Sequence, residues 1–186
     1  MRWLDQDEER AWRSFQVMQA RLTALLARDL SAHSGLSFQD YIVLVALTDQ
    51  PAGQLRLLQL GNLLGWEKSR ISHQVSRMAE RGLVEKRKCG SDRRGAFVAV
   101  TPKGHEEIEA AAPSHLEAVR RLFVDRLTPA QLASVAEVAE VVLAAVGDEE
   151  RQTCTDQTCT GQTCTGQTGT GQTSTVRTST VACDGA

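Results

Sequence analysis

A mainly α-helical fold carrying one small β-hairpin is what this sequence predicts, and three observations predict it. Apolar residues recur at helical spacing through most of residues 6–147. Gly, Pro and capping residues punctuate that pattern at each break. Alternation of period two runs from Val84 to Lys88 and from Ala96 to Thr101, on either side of a Gly90–Gly95 turn. Charge follows the same divisions within a net −2. Residues 55–104 hold 11 Lys/Arg against 4 Asp/Glu, a local +7, and residues 105–150 hold 3 against 10, a local −7. Residues 1–54 hold 5 against 7.

The elements follow in order. Phe15, Met18, Leu22, Leu25 and Leu26 predict a long first helix over residues 6–31, broken by His33-Ser34-Gly35. Ser37 caps a second helix, with Asp40 at the reciprocal capping position and Leu36 and Tyr41 placed as a hydrophobic staple. It is strongly apolar through Leu47, which makes it central. Asp49 to Gly53 is a turn. Residues 55–64 form a short helix ended by Gly65, and residues 67–81 a further one closed by Gly82. After the hairpin, Thr101-Pro102 opens another helix, with Thr at the cap and Pro at the first helical position. Thr128-Pro129 repeats that device and adds Gln131 at the reciprocal position. The last helix carries Leu132, Val135, Val138, Val142 and Val146, and Gly147 ends it. This order is that of a winged helix-turn-helix held between flanking helices.

Residues 1–150 suit one domain large enough to bury a core. Residues 151–186 form a separate tail of Thr/Gln/Gly pentads beginning QTCTD, QTCTG, QTCTG. Nothing apolar recurs there, so ordering its backbone goes uncompensated, and disorder is expected. The Cys-x4-Cys-x4-Cys series of the tail lacks the closer pairs and the fourth ligand of a zinc site, so no metal or other cofactor is expected. Five cysteines, four of them in the tail, make no disulfide framework. The apolar run Ile42 to Leu47 is far short of the roughly 20 residues a membrane helix needs. The N-terminus turns acidic at Asp5, Asp7, Glu8 and Glu9, unlike a signal peptide. No membrane partner and a cytoplasmic location are therefore expected.

The cationic segment points to nucleic acid, because phosphate contacts supply most non-specific affinity for it. Within the residue 67–81 helix, Ile71, Val75 and Met78 form the inward stripe. That leaves Lys68, Ser69, Arg70, Ser72, His73, Gln74 and Arg77 facing outward. Short hydroxyls and long donors in the first two turns suit base edges, with Ser69, Arg70 and His73 the leading candidates. Gln74 and Arg77 are placed to reach bases or phosphates. No metal cluster, phosphate loop or nucleophile–base spacing is present, so an enzyme is not expected.

The run LGWEKSRISHQVSRMAERGLVEKRKCGSDRRGAFVAVTPKG resembles the MarR family of bacterial transcriptional regulators. It includes the family's wing signature, Asp-x-Arg followed by a strand and Thr-x-x-Gly, here Asp92, Arg94, Thr101 and Gly104. The resemblance implies a homodimer of interlocked terminal helices on a pseudo-palindromic double-stranded DNA operator, with recognition helices in successive major grooves. It also implies wings in the minor groove, Arg94 as the minor-groove arginine, Asp92 orienting the wing by pairing with a nearby arginine, and Arg93 beside them. Trp66-Glu67 departs from the commoner aliphatic residue followed by Ser or Thr. Apolar stripes on the terminal helices (Leu116, Val119, Leu122 and Phe123 on one) also favour a dimer over a monomeric bundle.

The resemblance further implies a repressor released by a small aromatic ligand, for which Trp12, Phe15, His33, Phe38 and Tyr41 are candidates; core packing explains the same residues. A redox sensor acting through Cys89, beside Lys86-Arg87-Lys88, is the alternative reading. A non-specific architectural DNA-binding protein is a further one.

Overall fold

The computed structural model describes residues 1–88 and 96–157. Its element order is α1 (Gln6–His33), α2 (Phe38–Thr48), β1 (Gln54–Arg56), α3 (Leu57–Leu63), α4 (Lys68–Glu80), β2 (Val84–Lys88), β3 (Ala96–Val100), α5 (Pro102–Leu122) and α6 (Pro129–Gln157). One turn of 3-10 helix, Val124–Arg126, lies between α5 and α6. The mainly α fold with a small β wing is thus as expected.

Local chemistry sets the boundaries. Asp5 caps α1 through the N–H groups of Asp7 and Glu8, and Glu8 returns the bond to the Asp5 N–H across 2.9 Å. Ser37 and Asp40 make the same reciprocal box at the start of α2. Gly65 and Gly82 take φ values of +61° and +76°, the left-handed conformation that lets α3 and α4 end sharply. Thr101 caps α5 by accepting from the Gly104 N–H across 3.0 Å.

Three strands make the sheet, in the order β1-β3-β2, all antiparallel. β1 corrects the expectation of a helix over residues 55–64. Leu55 and Arg56 are strand residues opposite Val98 and Phe97, and the helix begins only at Leu57. A three-residue strand has no alternation to detect; it exists because β3 offers it a partner far away in the sequence.

The chain divides into two units, Met1–Ala133 and Ser134–Ala186. The first holds the core. Leu30 from α1, Leu36, Val43, Leu44 and Leu47 around α2, Leu60 from α3, and Ile71, Val75 and Met78 from α4 are buried together with Leu83, Val98 and Ile108. Central α2, expected from its apolar run, touches nearly every layer, and this sets the platform from which α3 and α4 project.

α6 departs from expectation in two ways. It continues through Gly147 to Gln157, taking residues 151–157 of the expected tail into the helix. Gly costs about 1 kcal/mol relative to Ala, too little to stop a helix whose neighbours Ala144, Ala145, Glu149 and Glu150 favour it. Its stretch Pro129–Glu149 also contains an 18-residue window of mean hydropathy 1.5, long and apolar enough to cross a membrane by length and composition. Scanning for uninterrupted apolar runs misses this. Glu137 and Glu140 interrupt the helix at its middle, where carboxylates are rare and costly in a bilayer. Asp92, Arg93, Arg94 and Cys89 lie outside the described residues, as do residues 158–186.

Candidate nucleic-acid interface

The turn between α3 and α4 is built from close backbone contact. Gly61 is buried where a Cβ would stand 3.2 Å from the Trp66 carbonyl oxygen and 3.3 Å from Ile71 Cγ2. The Trp66 N–H donates back to the Gly61 carbonyl across 2.8 Å. Glu67 is the N-cap of α4, and its side chain makes no capping hydrogen bond. The first turn therefore leaves N–H groups directed outward, at the positive end of the helix dipole.

From that start, Ile71, Val75 and Met78 turn inward, while Lys68, Ser69, Arg70, His73 and Arg77 are on the accessible side and Ser72 is half-buried. The Arg70 guanidinium lies over the Trp66 ring, 4.3 Å from its centroid. Cations and hydroxyls of the first two turns thus share one accessible face.

Gln74 is a correction. Expected to face outward, it is only 8% exposed, and its Nε2 donates to Asp40 Oδ1 across 2.7 Å. It stands three residues after Ile71 and four before Met78, so helical geometry places it on the inward stripe. Its amide is satisfied by a carboxylate whose sequence position suggested only a cap.

Asp40 is the centre of a buried polar junction and is 1% exposed. Besides Gln74 it accepts from Arg81 Nη1 at 2.5 Å and from the Ser37 N–H at 2.9 Å. Arg81 Nη2 donates to the Gly35 carbonyl across 2.7 Å. Burial opposes ionisation of Asp40, but the Ser37 N–H and the Arg81 guanidinium outweigh it and hold the carboxyl below the ordinary carboxylate range. The junction clamps the middle and the C-terminal end of α4 to the segment joining α1 and α2.

The wing is anchored from both sides. Lys86 Nζ donates to Ser76 Oγ on α4 across 2.7 Å. The Arg56 guanidinium carbon lies over the Phe97 ring, 5.1 Å from its centroid, and Arg87 pairs with Glu85. Thr101 Oγ1 donates to the Gly82 carbonyl across 2.7 Å. A Cβ on Gly104 would lie 2.1 Å from the Leu83 carbonyl oxygen. Thr101 and Gly104 therefore lock α5 against the end of α4, which aims the hairpin.

The five ligand candidates are not gathered into one cavity. Trp12 and Phe15 stack at 6.0 Å on the exposed side of α1, whereas Phe38 and Tyr41 pack against the core. His33 lines an open cleft between α1 and α5 with Leu25, Arg28, Asp29 and Arg121; the other four candidates do not. His115, missed as a candidate, lies 4.4 Å from Tyr41, and its buried Nδ1 has no hydrogen-bond partner. Burial lowers its pKa, and the Asp29 charge offsets part of that. Among the described residues no group of three or more His, Cys, Asp or Glu side chains could hold a metal ion.

Comparison with known proteins agrees with this geometry. The model of the MarR family matches residues 34–95, from the α1–α2 turn into the wing. The chain is similar to Sco3205, a MarR family transcriptional regulator from Streptomyces coelicolor solved in complex with DNA. Identity is 36%, with 78% of this chain and 91% of that one covered at a TM-score of 0.74. It is likewise similar to AbsC, a MarR family transcriptional regulator from the same organism, at 35% identity, covering 80% of this chain and 99% of that one with a TM-score of 0.74. A mutant MarR from E. coli complexed with operator DNA shares the fold at 20% identity, covering 75% of this chain and 99% of that one with a TM-score of 0.65. A search of curated proteins finds no match.

Proposed function

Because the chain belongs to the MarR family of transcriptional regulators, we propose that it is a homodimeric repressor released from a pseudo-palindromic DNA operator by a small molecule. The observation that carries this reading is the accessible face of α4, where Lys68, Ser69, Arg70, His73 and Arg77 stand clear of the core beside half-buried Ser72. On this reading Ser69, Arg70 and His73 meet base edges, and Lys68 and Arg77 meet phosphates or flanking bases. Asp92, Arg93 and Arg94 join them from the wing, on the strength of the family resemblance. The Streptomyces coelicolor relative solved with DNA supports the same use of the module. No enzymatic role is involved, and the protein acts in the cytoplasm.

Exposed apolar side chains on α1 and α6 support the dimer. Trp3, Leu4, Trp12 and Val17 on or before α1, and Val138, Val141 and Leu143 on α6, are large and uncovered. A second copy buries them without extending the chain, and two-fold closure is the commonest assembly. Release then requires only that a ligand favour a spacing of the two α4 helices that does not fit the operator.

Affinity for DNA upstream of the protein's own gene, set against random DNA at one salt concentration, tests the reading. A sequence-specific regulator should prefer its operator by about a thousandfold or more. Equal affinity for both overturns it in favour of an architectural protein bound through phosphates alone.

A further inference from the structure

We infer that Trp66 is a positioning residue for sequence recognition, its indole holding the Arg70 guanidinium so that Arg70 reads a guanine in each operator half-site. The inference rests on the reading of α4 as the recognition helix. Arg70 is the third residue of α4 and lies in its exposed first turn, the part of such a helix that meets base edges. Its guanidinium lies over the Trp66 ring at 4.3 Å.

The ring is a fixed platform. Trp66 follows the left-handed Gly65, its N–H is bonded to the Gly61 carbonyl at 2.8 Å, and its side chain packs against the core. A guanidinium that rests flat on such a ring keeps its in-plane N–H groups free to donate. Guanine presents two acceptors, O6 and N7, side by side in the major groove, at the spacing of that fork. No other base offers such a pair.

A phosphate contact needs only a charge nearby, whereas a bidentate base contact needs the fork held in one plane. Removing the platform therefore costs discrimination more than it costs general affinity for DNA. This separates Trp66 from a residue that merely keeps α4 folded, whose loss weakens all binding alike.

The test begins with double-stranded DNA selected from a random library by the wild-type protein. Binding is then measured for wild type, Trp66→Phe, Trp66→Leu, Arg70→Ala and the Trp66→Leu/Arg70→Ala double variant. Each is titrated against the selected sequence, random DNA, and versions with every G·C pair replaced in turn. Arg70→Ala should abolish discrimination at one G·C pair per half-site. Trp66→Leu should weaken discrimination at that same pair by about three- to tenfold, Trp66→Phe by less, and neither should alter binding to random DNA. The double variant should discriminate no worse than Arg70→Ala alone. Additive losses, or a Trp66→Phe and Trp66→Leu pair that binds selected and random DNA with equal loss, overturn the inference. Failure of the wild type to select any sequence is a different result, which sinks the specific-regulator reading and this inference with it.

Discussion

Gln74 Nε2 donates to Asp40 Oδ1 across 2.7 Å, joining the middle of α4 to the first turn of α2. Arg81 reaches the other carboxylate oxygen from the end of α4, at 2.5 Å. Two hydrogen bonds separated by nearly two turns fix both the tilt of α4 and its rotation about its own axis. Their common partner belongs to the segment in which α1 gives way to α2. A displacement at Ser37 or Gly35 is therefore delivered to α4 through one carboxylate.

Replacing Asp40 by Asn should cost on the order of 2 kcal/mol at neutral pH, read by urea denaturation. That is below the usual figure for breaking a buried pair, because Arg81 is half-exposed and water can take over part of its solvation. The folded-state pKa of Asp40 is depressed, so its contribution is complete above the unfolded-state value and is lost as pH falls through the folded one. The gap between wild type and Asp40→Asn should close below about pH 4. A gap that keeps its size on acidification well below that pH would show that the negative charge does not stabilise the fold.

His115→Phe should leave stability at pH 7 unchanged or raised, because it keeps a ring against Tyr41 and removes a buried nitrogen without a partner. Burial depresses the folded-state pKa of His115, with Asp29 offsetting part of the effect. Below the ordinary histidine value the unfolded chain then binds the proton more readily than the folded one. Wild-type stability is full above that value and declines as pH falls through it, in a window well above that of Asp40. Melting temperatures from pH 7 to about pH 5 should favour the variant increasingly. Parallel curves would remove His115 as the source of the acid sensitivity.

Gly104→Ala should unfold or severely weaken the winged module. Its new Cβ would stand 2.1 Å from the Leu83 carbonyl oxygen, a backbone atom that cannot turn aside. The loss should equal or exceed the roughly 1–3 kcal/mol of an overpacked core. Wild-type melting in this variant would mean that α5 can shift away from β2 without penalty.

Thr101 and Gly104 show what is legible in the sequence. Cap, Pro and Gly signals act within one turn of the chain, so the break after α1, the start of α2, the end of α4 and the start of α5 are readable from neighbours alone. β1 is not, since Gln54, Leu55 and Arg56 become a strand only by pairing with Ala99, Val98 and Phe97. Gln74 reads as outward only if its polarity outweighs its helical position. The spacing of Ile71, Val75 and Met78 places it on their face, and Asp40 is the partner that makes its burial affordable. The exposed positions of Lys68, Ser69, Arg70, His73 and Arg77 follow from the same periodicity. The placement of Arg70 over the Trp66 ring does not, because it depends on how tightly Gly61 lets α3 approach.

Arg94→Ala should weaken operator binding by about 1–3 kcal/mol, the range for removing a cation from a narrow groove. Arg94 lies outside the described residues, and the expectation comes from its place in the Asp-x-Arg wing signature. The effect should be greatest for operators whose flanks narrow the minor groove. Unchanged affinity in a variant that melts like wild type would remove Arg94 from the interface.

Val138→Glu combined with Leu143→Glu should convert a dimer into a monomer, as read by sedimentation equilibrium. Val138 and Leu143 are 62% and 69% exposed in the isolated chain, and burying such side chains contributes roughly 1.5–3 kcal/mol each. Glu137 and Glu140 already flank the first site, so new carboxylates in the same stretch add like-charge repulsion to the missing apolar burial. The exposed helix itself tolerates both substitutions, because Glu is a good helix former and neither position belongs to the core of the winged module. The variant should therefore retain its helical content while losing affinity for the two-half-site operator far more than for an isolated half-site. Persistence of the dimer would place the interface elsewhere. A monomeric wild type would overturn the dimer proposal outright, and co-sedimentation of wild type with anionic lipid vesicles would redirect the apolar face of α6 to a membrane surface.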